Sequence, residues 1–365
     1  MRRLAINPLP WVMGPMGPCV TERNLREALA DLTHTAFRAL HTDVPAGMDV
    51  PRYQAILDEF GFAPAPGYFA GDFHVPEKQA TIVEQAKAHA GTLAALGVDS
   101  TFMAGNIDMA RFANPAAGEN ASPERTKRMA DTLARVADAG FAEGVRFALH
   151  PHIAMIIETE EETRAVLDMT AGSRLGFGPD TGHLLWAGMM PERIIADYAD
   201  RLVAVHLKDV DPAGLRRALR YEDDYIAAIG TRRIWTEPGR GMVDFDAVFA
   251  ALPSGFDGWF VVEVDSPWGC QFPPTRRQDL ARSRPRCAPA YGWIGRRGNQ
   301  RRCRWTVGST GGLDRRRGPS TDGRWLSRRS TKLRGEPGRS HPRRDFISLI
   351  IELLRSFIGR DSTVA

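Results

Sequence analysis

Cysteine is scarce in this chain. Its 365 residues hold four, Cys19, Cys270, Cys287 and Cys303, with no CxxC spacing among them. That leaves out a disulfide framework and a CxxC metal site, and in a chain this size the four read as free thiols in a reducing compartment. Long apolar runs are also missing: no stretch reaches the roughly 18 residues that a membrane-spanning helix needs. Met1-Arg2-Arg3 is basic, but the Leu4 to Trp11 segment behind it is too short and too proline-broken for a signal-peptide core. A cytoplasmic protein with no membrane partner is the expectation. No glycine-rich phosphate loop follows the first apolar run, which argues against a doubly wound nucleotide-binding sheet.

Acidic residues are few at one end only. Residues 281–365 hold 21 Lys plus Arg against 6 Asp plus Glu, which leaves 27 basic and 38 acidic residues for 1–280 from the totals of 48 and 44. The net charge of +4 and the pI near 9.0 therefore describe neither part. An acidic body opposes binding of a polyanion, so nucleic acid is not an expected partner of residues 1–280.

Four segments carry most of the information: Leu149-His150-Pro151-His152, Gly178-Pro179-Asp180-Thr181-Gly182-His183, Val205-His206-Leu207-Lys208-Asp209 and Val261-Val262-Glu263-Val264-Asp265. Each starts as an apolar run typical of a buried parallel strand and ends in His, Asp or Glu. The steps from His150 to Asp180 and from Asp180 to His206 are 30 and 26 residues, one βα unit each, and the 57 residues from His206 to Glu263 read as two. Strands are expected at Leu4 to Asn7, Phe37 to His41, Ala63 to Phe69, Ser100 to Ala104, Arg146 to His150, Leu175 to Asp180, Leu202 to Lys208 and Trp259 to Val264. Between them lie amphipathic helices. One spans Pro76 to Leu96, with Ile82, Ala86, Ala90 and Leu93 on one face and His89 on the surface. A second opens at Ser122 with Pro123 at its first position and runs to Ala142, and a third opens at Thr159, where Glu162 completes a capping box. Eight alternating units predict an α/β fold, a (β/α)8 TIM barrel over residues 1–280.

Past Pro267 the pattern fails. Thr275 to Ser283 starts as an eighth helix that Pro285 stops. Residues 281–365 form a basic, low-complexity extension with 20 Arg and a single Lys332 and no periodicity, a composition expected to be irregular and disordered. Two readings stand: an Arg-rich nucleic-acid-binding tail, or out-of-frame translation of a GC-rich gene, which is preferred. The terminal FISLIIELLRSFIG is apolar but too short to cross a bilayer.

His150, His152, His183 and His206 all fall at expected strand ends, beside Asp180 and Glu263. Buried carboxylates are costly unless paired or metal-bound, and a mixed oxygen and nitrogen set suits one divalent ion of Mn2+, Co2+, Mg2+ or Zn2+. Lys208 has Asp209 and Asp180 as candidate partners. Glu158 is placed to reach the pocket as a substrate-binding carboxylate, or else belongs to the acidic first turn of its helix. Arg240, in the Pro-Gly-Arg-Gly segment, is a candidate contact for a phosphate or carboxylate.

The PDTGH and HLKD motifs, the run from Glu237 to Phe245, and Asp257 to Glu263 resemble the xylose isomerase-like TIM-barrel superfamily of sugar isomerases and epimerases. Within it the inosose dehydratases are nearest, sharing Asn7-Pro8, Trp11 and the His-x-His of the fifth strand. The resemblance covers residues 4–265. It implies metal ligands at Asp180, His206 and Glu263, substrate contacts at His183 and Lys208, and Trp11 as a pocket wall; His152, two residues past His150, is a further candidate substrate contact. Ketose 3-epimerases of the superfamily have a metal-binding Glu at the fifth strand, and here His150 takes its place as a ligand. Only one of the two carboxylates needed for epimerisation then remains. Dehydration asks for one base, Glu263 or a fifth-strand histidine, and one acid, Lys208 or His183. The chain departs from the dehydratase pattern at Val12-Met13-Gly14-Pro15-Met16 and around His41 and Asp43, so a different substrate within the class is expected. The implied activity is dehydration of an inosose-like sugar or cyclitol, with isomerisation or epimerisation as the alternative and a homo-oligomer as the assembly common in the superfamily. Rivals from other classes are an endonuclease IV-type nuclease, which needs a trinuclear zinc cluster, and a catalytically inactive barrel.

Overall fold

The computed structural model describes residues 3–14 and 17–265. Eight parallel strands close into a ring: β1 (Arg3–Ile6), β2 (Ala39–His41), β3 (Ala63–Ala65 continuing as Gly67–Gly71), β4 (Ser100–Gly105), β5 (Arg146–Leu149), β6 (Gly176–Phe177), β7 (Ala204–Leu207) and β8 (Trp259–Val262). Each pairs in parallel with its neighbours, and β8 returns to β1 through Arg3↔Trp259 to Ile6↔Val262. The bridges Phe177↔Leu202 and Asp180↔His206 join β6 to β7 and complete the circle. The (β/α)8 reading of the sequence is correct.

The ring is wrapped by α1 (Glu22–Leu32), α2 (Val50–Phe60), α3 (Gln79–Ala95), α4 (Pro123–Ala142), α5 (Glu160–Met169), α6 (Pro191–Asp197) and α7 (Phe245–Ala250). Their starts follow from local chemistry. Ser122 accepts from the amide of Arg125 ahead of Pro123, and Thr159 with Glu162 forms the reciprocal capping box read from the sequence. The main core fills the space between ring and helices, with Leu25, Tyr53, Leu93, Leu133, Val166 and Val248 among the buried side chains. Inside the ring a small-residue layer of Ala5, Ala39, Ala65 and Ala204 packs with Phe102 and Val261. A strand repeats every two residues, so the next inward positions are Asn7, His41, His206 and Glu263, joined by His150 two beyond Ala148 and Asp180 two beyond Gly178. The interior is thus alanine below and polar above, at the C-terminal mouth.

Several expectations need correction. The third strand is not continuous: Pro66 interrupts it, Ala63–Ala65 pairing with β2 and Gly67–Gly71 with β4. The 57-residue step holds one barrel unit rather than two. Its extra length is an excursion containing the helix Pro212–Tyr221, a π-helical turn Ala227–Thr231, and Trp235–Thr236 paired antiparallel to Asp209–Val210. The first turn of the Pro76 helix is 3-10, and the α-helix begins at Gln79. His89 is not a surface residue. It is half-buried, its ring against Phe69 and Phe147 and its Nε2 3.0 Å from Thr101 Oγ1. Cys19 is disulfide-bonded rather than a free thiol, and the other three cysteines lie outside the described residues. The expected eighth helix and the 281–365 extension also lie outside them. Among the described residues no helix is long and apolar enough to cross a membrane.

Candidate metal centre and active site

Four strand ends converge on one buried cluster. Asp180 caps the short helix Thr181–Trp186, its Oδ1 accepting from the amides of Gly182 (2.8 Å) and His183 (2.9 Å). Its other oxygen, Oδ2, is buried without a hydrogen-bond partner among the described residues. His206 Nδ1 lies 3.7 Å from that oxygen and 3.2 Å from Glu263 Oε2, and neither ring nitrogen of His206 has a hydrogen-bond partner among the described residues. Glu263 is held from two sides, Oε2 by Asn7 Nδ2 and Oε1 by Lys208 Nζ, each at 2.7 Å. His150 Nδ1 is 2.9 Å from the carbonyl of Gly178. A carbonyl only accepts, so Nδ1 carries the ring proton and Nε2 keeps a free lone pair, the state of a histidine ready to bind metal. Donor atoms of His150, Asp180 and His206 lie within 4.8 Å of one another, as do those of Asp180, His183 and Glu263. Two carboxylate oxygens and an unpartnered imidazole facing one another out of water fit a divalent cation, and the nitrogen and oxygen donors suit Mn2+, Co2+, Zn2+ or Mg2+.

The electrostatics agree. Burial, reinforced by neighbouring cations and histidines, holds His150 and His183 well below the ordinary imidazole range and His152 at about 4, so all three stay neutral. Burial alone would raise Glu263, yet Lys208 and His206 hold it well below the usual carboxylate range. Burial would also strip the proton from Lys208, but Asp265, Glu263 and Asp180 keep it firmly protonated. Asp265 itself is pushed up to about 6 by burial, against the pull of Lys208.

The structure brings His150, Asp180, His183, His206, Lys208 and Glu263 together, with the His152 ring tilted over His183 at 3.6 Å between ring centroids. His152 Nδ1 faces the Ile153 carbonyl at 2.6 Å, which again leaves Nε2 as the free acceptor. The other assigned residues have partners of their own. Glu158 precedes the first turn of α5, and its carboxylate accepts from the amides of Ala116, Gly118 and Ala154 and organises a loop. Arg240 is part-exposed, 3.8 Å from Glu237. Trp11 donates its indole N–H to Asp31 at 2.8 Å and packs against the outer core. Lys208 does not pair with Asp209. Asp209 turns away to accept from Gly239, Gly241 and Val243 and so anchors the Pro-Gly-Arg-Gly loop.

Asp265 was missed, although it lies in a segment singled out above. It sits 2.7 Å from Lys208 Nζ, and its position two beyond Glu263 was the available signal. The wall of the mouth was also missed. Trp235 packs edge-on to His183 and under the Lys208 ammonium, and Tyr225 stacks on Trp186. Tyr225 comes from the excursion between β7 and β8, and no short-range pattern links it to the strand ends.

Closed ring, inward polar layer and buried ligand set define a (β/α)8 barrel with a candidate metal centre at its C-terminal mouth. The family described as xylose isomerase-like TIM barrel matches residues 31–286, and the chain belongs to that family. It is 28% identical over 316 residues to the rhizopine catabolism protein MocC of Rhizobium meliloti, covering 81% of this chain and 95% of that protein. It is 25% identical over 269 residues to the inosose dehydratase of Geobacillus kaustophilus, covering 72% and 87%. Among solved structures, an L-ribulose 3-epimerase superposes with a TM-score of 0.53 at 19% identity over 73% of this chain and 82% of that one. The IolI protein, solved with a bound zinc atom, superposes with a TM-score of 0.52 at 19% identity over 72% and 89%. These superpositions show the shared fold.

Proposed function

We propose that this chain is a divalent-metal-dependent dehydratase of a small keto-polyol, of the inosose type, with a sugar or cyclitol as substrate class. The observation that carries the reading is the ligand set itself: His150 stands at the fifth strand, and Glu263 is a single carboxylate clamped by Asn7 and Lys208. Relatives named inosose dehydratase, 25% identical over most of their length, support the same choice. His150, Asp180, His206 and Glu263 would hold the ion. When bound, it supplies Lewis acidity that lowers the energy of negative charge on a carbonyl oxygen.

This chain's own residues supply the proton transfers. His152, neutral with a free Nε2, takes the proton from the carbon next to the carbonyl. The electrons of that C–H bond form the new double bond, and the β-carbon to oxygen bond breaks. Lys208 and His183, 3.3 Å apart, form the donor pair that hydrogen-bonds the departing hydroxyl and returns a proton to it, so that it leaves as water. Trp235, His183 and His152 wall the reaction from solvent. Arg240 and Trp11, as placed, contribute at most at the rim.

The test is to incubate the Mn2+- or Co2+-loaded protein with an inosose and follow ultraviolet absorbance and product mass. A conjugated product lighter by one water is expected, lost in His152→Gln with metal content intact. A product of unchanged mass would move the assignment to isomerisation or epimerisation, and no product would remove the inosose class.

A further inference from the structure

The cluster contains two overlapping ligand sets that share Asp180, one with His150 and His206 and one with His183 and Glu263. Such an arrangement has the form of a two-metal site bridged by a carboxylate. In the second set, however, a cation is already present. Lys208 Nζ lies 2.7 Å from Glu263 Oε1, 2.7 Å from Asp265 Oδ1 and 3.3 Å from His183 Nε2. Lys208, Asp180, Glu263 and Asp265 are all buried. The ammonium is also backed by the Trp235 ring, whose centroid is 4.4 Å away.

We propose that the Lys208 ammonium occupies the second cation position of this centre, so that the chain is built for one divalent ion and one fixed ammonium rather than two divalent ions. The inference rests on the metal centre proposed above. Charge makes the case. The three buried carboxylates of Asp180, Glu263 and Asp265 are matched in charge by one divalent ion and one ammonium, and a buried site tolerates little uncompensated charge. Replacing Lys208 by a neutral side chain leaves one negative charge unbalanced and vacates a position surrounded by Asp180, His183, Glu263 and Asp265. Those are the donor types that a second Mn2+ takes. The ammonium also brings what a second metal ion does not, N–H donors pointed at a hydroxyl. Asp265 thereby becomes a positioning residue, keeping Lys208 in place when Glu263 turns one oxygen to the metal.

The experiment measures Mn2+ per chain by elemental analysis, and its spectrum by electron paramagnetic resonance, on the full-length protein. Wild type is compared with Lys208→Met, Lys208→Gln and the charge-preserving Lys208→Arg, with circular dichroism to show that each is folded. Wild type and Lys208→Arg are expected to hold one Mn2+ with the spectrum of an isolated ion. The two neutral variants are expected to hold two, with the altered spectrum of an exchange-coupled pair. Two Mn2+ in wild type, or one in both wild type and a folded neutral variant, would overturn the proposal; the wild-type stoichiometry decides even if a neutral variant does not fold. No Mn2+ in wild type would instead remove the metal centre itself, so the two failures are distinguishable.

Discussion

Asp209 illustrates how far a single side chain reaches. It is fully buried, and its two oxygens accept from four backbone amides: Val210, Gly239, Gly241 and Val243. Asp209→Asn turns one of those oxygens into a donor facing amide donors, and a loss of about 2–3 kcal/mol in urea unfolding is expected. Gly241 is equally constrained, because a Cβ there would come within 2.3 Å of Asp209 Oδ1, and Gly241→Ala should disturb the same loop. None of this is legible in the sequence, where Lys208-Asp209 looks like an ion pair between neighbours. The pairing is decided by alternation along the strand, which sends Lys208 inward to Glu263 and Asp265 and Asp209 to the other side.

His89 supports a prediction about acid. Burial holds its folded-state pKa at about 4, against 6.5 for an ordinary histidine. The folded protein therefore binds fewer protons than the unfolded chain at pH values between these two. The stability contribution is complete above 6.5 and is lost as pH falls through that window, levelling off below about 4. In His89→Phe, which keeps the ring contact with Phe69 and Phe147, the slope of unfolding free energy against pH in this window should shrink by up to about 1.4 kcal/mol per pH unit. An unchanged slope in denaturant titrations across that range would contradict the assignment.

At the scale of elements, the mouth loops are held by buried charge. Arg111, on the short helix Met109–Ala113, makes a two-pronged contact with Glu162 at 2.5 and 2.8 Å and donates to the carbonyls of Met155 and Ile156. It so ties the loop after β4 to the start of α5. Arg111→Met strands Glu162 and Glu158 without their counter-charge, and thermal unfolding should show a loss of about 3–5 kcal/mol. The capping box at Thr159 and Glu162 was readable from spacing alone. The further use of the same Glu162 to receive Arg111, 51 residues away, was not. The barrel strands were legible because each is an apolar run ending in a polar residue. The split of β3 at Pro66 and the excursion between β7 and β8 were not, since both depend on which neighbour each segment pairs with.

For the whole molecule, ring closure places six polar strand-end residues in one interior layer, and alanines beneath leave them room. The ligand set was readable from the sequence because a strand's two-residue period and a barrel's fixed polarity together determine where those residues point. The aromatic wall and Asp265 needed the folded chain. Because all the ligands lie before residue 265, truncation after residue 284 is expected to leave metal stoichiometry unchanged, as elemental analysis of the shortened chain would show.

The most direct measurement titrates Mn2+ into wild type and Asp180→Asn by calorimetry. Asparagine keeps the Oδ1 cap on Gly182 and His183 and removes the charge from the unpartnered side of the carboxylate. One equivalent in wild type, weakened at least about 100-fold in the folded variant, is the expected result. No binding in wild type, or equal binding in both, would contradict a metal centre at this cluster.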